Sequence, residues 1–131
     1  MIRQLAIWLC LGLLLMQCTS GGSAELGAEP DNLVDEDKMV DILTETHLSE
    51  SRIARLAIGS ADTSALLFKR LHTQTLKKFD VDTASYSQSF VYYSAHPDKL
   101  AKIYEEVVDK LKAIEKEKAA KAGKQKILKP Q

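Results

Sequence analysis

The run from Leu100 to Ile114 constrains this chain more than any other. Leu100, Ile103, Tyr104, Val107, Val108, Leu111 and Ile114 recur at spacings of three and four. An α-helix turns once in about 3.6 residues, so these side chains share one face, and that face must be buried against something. Pro97 stands where a helix tolerates proline best, at its first residue, and it pushes His96 out of helical geometry. One amphipathic helix cannot bury its own stripe, so the remaining sequence has to supply its partners.

Three further segments qualify. In "VDEDKMVDILTETHLSESRIARLAI", Met39, Ile42, Leu43, Thr46, Ile53 and Ala57 form one stripe, which predicts a helix over about Asp35 to Ile58. Asp35, Glu36 and Asp37 crowd its first turn, where negative charge complements the helix dipole, and Gly59 follows its end as a stop. A second helix fits Asp62 or Thr63 to about Phe79, with Leu67, Phe68, Leu71, Thr75 and Phe79 on one face. A third starts from Asp82 as N-cap, presents Tyr86, Phe90 and Tyr93, and ends at His96. "SFVYYS" has the composition of a strand, yet a capping Asp on one side and a helix-starting Pro on the other fit a helix hairpin. The tail 115–131, "EKEKAAKAGKQKILKPQ", loses apolar periodicity and holds Gly123 and Pro130, which predicts a basic, frayed end. With 131 residues, 45% of them hydrophobic, one core is expected. The fold class that follows is all-α, a small bundle of three to four helices over residues 33–114.

The N-terminus reads differently. Arg3 precedes an apolar run from Leu5 to Met16, about a dozen residues and short of the roughly 20 that a membrane-spanning helix needs, then comes a polar boundary. That order marks residues 1–17 as an export signal. "LMQC" at its end resembles a bacterial lipobox, with Leu15 three residues before Cys18. In such signals the thiol takes up a diacylglyceryl group, cleavage falls just before the cysteine, and the new amine is acylated as well, so that several chains hold the protein on the membrane. Residues 18–32 then comprise a lipidated cysteine and a flexible tether rich in Ser, Gly, Ala and Glu. Two other readings stay open: a plain secretory signal cut after Ala24, and a cytosolic protein with an apolar N-terminal helix. On the lipobox reading Cys10 leaves with the signal and Cys18 is consumed by lipid. The mature chain then keeps no thiol for a disulfide, a zinc-thiolate site or a nucleophile.

The order of features, from the lipobox and tether through "PDNLVDEDKMVDILTETHLSE" to "YSQSFVYYSAHPDKLAKIYEEVVDKL", resembles the Bacteroidota lipoprotein family catalogued as domain of unknown function 4296. The likeness covers roughly Pro30 to Leu111. It rests on a Pro then Leu lead-in, Lys38-Met39 with Ile42-Leu43, the run His47, Leu48 and Glu50, Ser89 with Tyr93, Pro97, and Ile103-Tyr104. Where the family tends to carry Asn before the proline, this chain has His96. The resemblance implies a lipoprotein of the cell envelope; it implies no chemistry. The tether lacks the dense acidic cluster that goes with surface display in such lipoproteins, so the expected place is the periplasmic side of the outer membrane.

His47 and Glu50, three apart, share a helix face and are the best candidates for acid-base or metal chemistry. They offer two ligands where a tetrahedral site needs three or four, so neither a metal nor another cofactor is expected. Ser89 with His72 or His96 and a carboxylate makes a triad only on paper, because no Gly-x-Ser-x-Gly elbow surrounds a serine. Tyr86, Phe90, Tyr93 and Tyr104 read as core aromatics with their hydroxyls at the rim. The family pattern leaves His47, Glu50, Ser89, Tyr93, Pro97 and Tyr104 as interaction candidates. Lys and Arg equal Asp and Glu at 18 each, and eight lysines gather between Lys110 and Lys129, as a solvated end or a contact for an anionic surface. Nucleic acid is not an expected partner of an exported chain. The expected protein is a membrane-anchored, non-enzymatic lipoprotein that serves an envelope partner as an interaction or accessory subunit. The rival is a periplasmic binding or chaperone-like module that holds a lipid or an unfolded client in an apolar groove.

Overall fold

The computed structural model describes residues 27–127, with side chains to Gly123. The signal segment, Cys18 and the tether up to residue 26 lie outside the described residues, as do residues 128–131. Four helices follow in order: α1 Glu36–Arg55, α2 Ala61–Lys78, α3 Thr83–Ser94 and α4 Pro97–Ile127. Among the described residues there is no strand, and "SFVYYS" is helical within α3.

Side chains set most of the boundaries. The Asp35 carboxylate accepts from the Lys38 N–H and caps α1, while Asp82 accepts from the N–H groups of Ala84 and Ser85 and caps α3. α2 is capped by the Ser60 hydroxyl, so Asp62 sits in the first turn instead of before it. Phe79 ends α2, and Asp80 beyond it takes the left-handed conformation at φ 54°. The N–H groups of Asp80 and Val81 then return to the carbonyls of Lys77 and Leu76, and Val81 reaches the core beside buried Leu76. At the end of α1 the sequence expectation needs correcting. The helix stops at Arg55 and the left-handed residue is Ala57, at φ 48°, so Gly59 is not what stops it.

The helices pack as a ring, α1 against α2 and α4, with α3 closing the bundle against α4 and more lightly against α2. α1 supplies more of the core than any other helix: Met39, Val40, Ile42 and Leu43 are buried, joined by Val34 ahead of it and by Leu76, Tyr92, Tyr93, Ile103 and Val107. Farther along α1 the buried residues become Thr44, Thr46 and Ser49, and the two threonine hydroxyls bond back to the carbonyls of Val40 and Ile42. On α4 only Ile103 and Val107 are fully buried; Tyr104 and Val108, on the edge of the same stripe, face outward. Around that buried patch α4 is also tied to α1 by Lys102 to Glu36 and Lys110 to Asp41, with Tyr104 beside His47.

α4 also outruns the expected body. Apolar periodicity lapses after Ile114, but the helix continues to Ile127, so the segment expected to fray is helical through that residue. Ala, Lys, Glu and Gln propagate a helix well once the packed half has nucleated it, and the Lys121–Glu117 pair lies one turn apart along it.

Candidate functional site

Ser89 and Tyr93, two of the residues singled out by the family pattern, hold the fold together. The Ser89 hydroxyl accepts the Val34 N–H at 2.9 Å and donates to the Ser85 carbonyl at 2.7 Å, and the Tyr93 hydroxyl donates to the Val34 carbonyl at 2.7 Å. Both groups of one residue ahead of α1 are thus clasped by α3. Burial pushes the Tyr93 hydroxyl up to about 12, with the nearby Glu36 and Asp35 charges adding to the effect. The phenol is therefore a fixed donor, buried where a rim hydroxyl was expected. Pro97 opens α4, and the His96 ring turns back to the Tyr92 carbonyl at 2.7 Å, while the His96 backbone carbonyl accepts the Leu100 N–H.

That corner gathers residues the sequence did not connect. Lys99 Nζ donates to the Tyr92 hydroxyl at 2.7 Å and lies over its ring, and the same hydroxyl faces Glu29 at 3.4 Å. The Tyr92 hydrogen bond raises the Lys99 pKa. Gly27 lies against the His96 ring, so the chain leads in at the start of α4. Tyr92 and Lys99 stand seven apart across Pro97, and a periodicity broken by proline gives no signal for such a pair.

His47, Glu50 and Tyr104 do come together. His47 Nδ1 and Glu50 Oε2 are 3.0 Å apart, and the His47 ring lies 6.3 Å from that of Tyr104. A chain of rings runs beside them, from Phe68 to His72 to Tyr86 to Phe90, with centroids between 5.0 and 6.2 Å apart. Burial raises the Tyr86 pKa, and the charges of Tyr104 and Glu50 add to it, which ties the two groups electrostatically. Burial lowers the His72 pKa, which disfavours its charged form. Chemically the face offers one exposed imidazole-carboxylate pair and two phenols. Among the described residues no three His, Cys, Asp or Glu side chains converge as metal ligands.

A second surface escaped the sequence reading. Where α4 leaves the bundle, a cleft of about 420 Å³ opens over Thr44, Phe79, Ala113 and Ile114. Two ion pairs rim it, Lys78–Glu45 at 2.8 Å and Lys110–Asp41 at 2.6 Å. Phe79 and Ile114 are legible as stripe residues; that α2 and α4, which do not pack on each other, leave a cleft between them over α1 is not.

Comparison with curated proteins and with solved structures finds no match. No helix among the described residues is long and apolar enough to cross a membrane. A family model does match, over residues 30–117, a span that runs slightly beyond the resemblance drawn from the motifs. The chain belongs to the family described as Domain of unknown function (DUF4296).

Proposed function

We propose that this protein is a lipid-anchored helical lipoprotein of the cell envelope, on the periplasmic face of the outer membrane, and that it works through protein contacts without catalysing a reaction. The anchor rests on "LMQC" and Cys18. The interaction role is carried by one observation: α4 keeps Glu115 to Ile127 as helix beyond the bundle, and every residue from Glu115 to Gly123 is exposed. Helix that buries nothing adds little to stability, so its use lies outside the fold. The lead-in by His96 and the tip of α4 stand at opposite ends of a helix roughly 46 Å long at 1.5 Å per residue. A chain held by its N-terminus thus presents the arm away from the attachment.

Two experiments test this reading. Cys18→Ala should abolish incorporation of labelled fatty acid and leave uncleaved precursor; labelling that survives the change removes the anchor. Crosslinking in cells should capture a reproducible envelope partner, and consistent absence of one counts against the interaction role. The cleft over Phe79 and Ile114 favours a second reading, a module holding a lipid or an unfolded client, since its volume is in the range of ligand sites. Native mass spectrometry showing bound lipid with no stable protein partner would favour it.

A further inference from the structure

We infer that the cleft over Phe79, Ala113 and Ile114 and the α4 arm beyond it form one docking surface for an acidic protein segment carrying an apolar anchor residue. The inference rests on the interaction reading above and names the surface and the partner chemistry.

The cleft and the arm are continuous, because Ala113 and Ile114 line the first and the next residue begins the second. The floor is apolar and open, of a size to take one large aliphatic or aromatic side chain. Its rim carries two cations, Lys78 and Lys110, each already held by a carboxylate of α1. The rim is thus balanced in charge, and past the cleft the balance turns positive, although Lys121 is paired with Glu117. Between Glu115 and Ile127 there are five lysines against two glutamates, and Lys116, Lys118 and Lys121 are exposed along the helix. Such a field draws a negative segment in and fixes its direction, while the buried anchor supplies the holding contact.

The same observations select among anionic partners. At about 100° per residue, Lys118 and Lys121, three apart, share the side of the helix that Ile114 begins, with Lys116 on the other; the side opposite that pair carries Ala119, Ala120, Gly123 and Ile127, which make no broad apolar face of large side chains. A helix that lies in a membrane surface needs that apolar face. An acidic glycan would satisfy the lysines and leave the apolar floor uncovered. A Glu-rich or Asp-rich peptide with one bulky apolar residue satisfies both.

The test uses the full chain purified in detergent and a short fluorescent Glu-rich peptide with one central Leu. Fluorescence anisotropy should show binding that weakens with salt. Replacing Lys116, Lys118 and Lys121 by Gln together should weaken it about tenfold. Ala113→Glu, an exposed change that puts a carboxylate at the cleft, should weaken it several-fold, as should replacing the peptide's Leu by Ser. Circular dichroism should show both variants folded. Equal binding by the triple variant overturns the inference, as does indifference to the Leu, or failure of the peptide while phosphatidylglycerol vesicles are bound. If crosslinking in cells still captures a partner when the peptide fails, the docking surface falls and the interaction reading stands. If neither captures anything, both fall.

Discussion

Val34 stands two residues ahead of α1, just before its capping Asp35, and both its backbone groups are satisfied by side chains more than fifty positions away. Ser89→Ala leaves the Val34 N–H buried without its acceptor and should cost about 1–3 kcal/mol of unfolding free energy. Tyr93→Phe removes the donor to the Val34 carbonyl and should cost about 1 kcal/mol while keeping the ring. Because both act on one residue, the double variant should lose less than the two losses added together, and urea titrations of all three proteins check it. Ala57 is the second sensitive position. An alanine at φ 48° crowds its own Cβ, so Ala57→Gly should stabilise by up to about 1 kcal/mol by the same measurement.

At the scale of the element, helix existence was legible and helix ends were less so. Asp35, Asp82 and Pro97 act where their chemistry says they should, because capping and the missing N–H are local effects. α2 begins at Ala61, ahead of Asp62 or Thr63, because the Ser60 hydroxyl caps it, and α1 ends on Ala57 in the left-handed conformation, two residues before Gly59. Ser89 and Tyr93 looked like site residues because a sequence cannot show that a loop in front of another helix meets them. The arm of α4 was hidden for the opposite reason: losing an apolar stripe ends burial, and the helix goes on by propensity alone. Removing residues 115–131 should therefore change the unfolding free energy by no more than about 1 kcal/mol, as measured by chemical denaturation. A larger loss would mean that the arm belongs to the core.

For the whole molecule, half-buried His72 and buried Tyr93 do most to set the limits of a stability plateau. His72 binds its proton less readily folded than at its ordinary 6.5, so the unfolded chain takes up more protons as pH falls below that value, and stability drops. Tyr93 holds its proton more tightly folded, up to about 12 against an ordinary 10.0, so stability is complete below pH 10 and declines as pH rises towards 12. In stronger acid Asp82 adds a loss, because the Ser85 hydroxyl and the backbone N–H groups around it favour its ionised form. Thermal midpoints should be flat between about pH 6.5 and 10 and fall on both sides. His72→Gln should flatten the near-acid limb, and Tyr93→Phe should make the alkaline one shallower, leaving the part that Tyr86 contributes.

The clasp on Val34 also decides how the molecule bears tension. A pull applied between Gly27 and Ile127 does not begin by unwinding α1, because the lead-in is fastened to α3 through Ser89, Tyr93 and the Tyr92–Glu29 contact. The load passes into α3, crosses the short turn at Pro97 and runs along α4. Met39, Ile42 and Leu43 are spared until those few polar contacts break, so the bundle has a fuse placed outside its core.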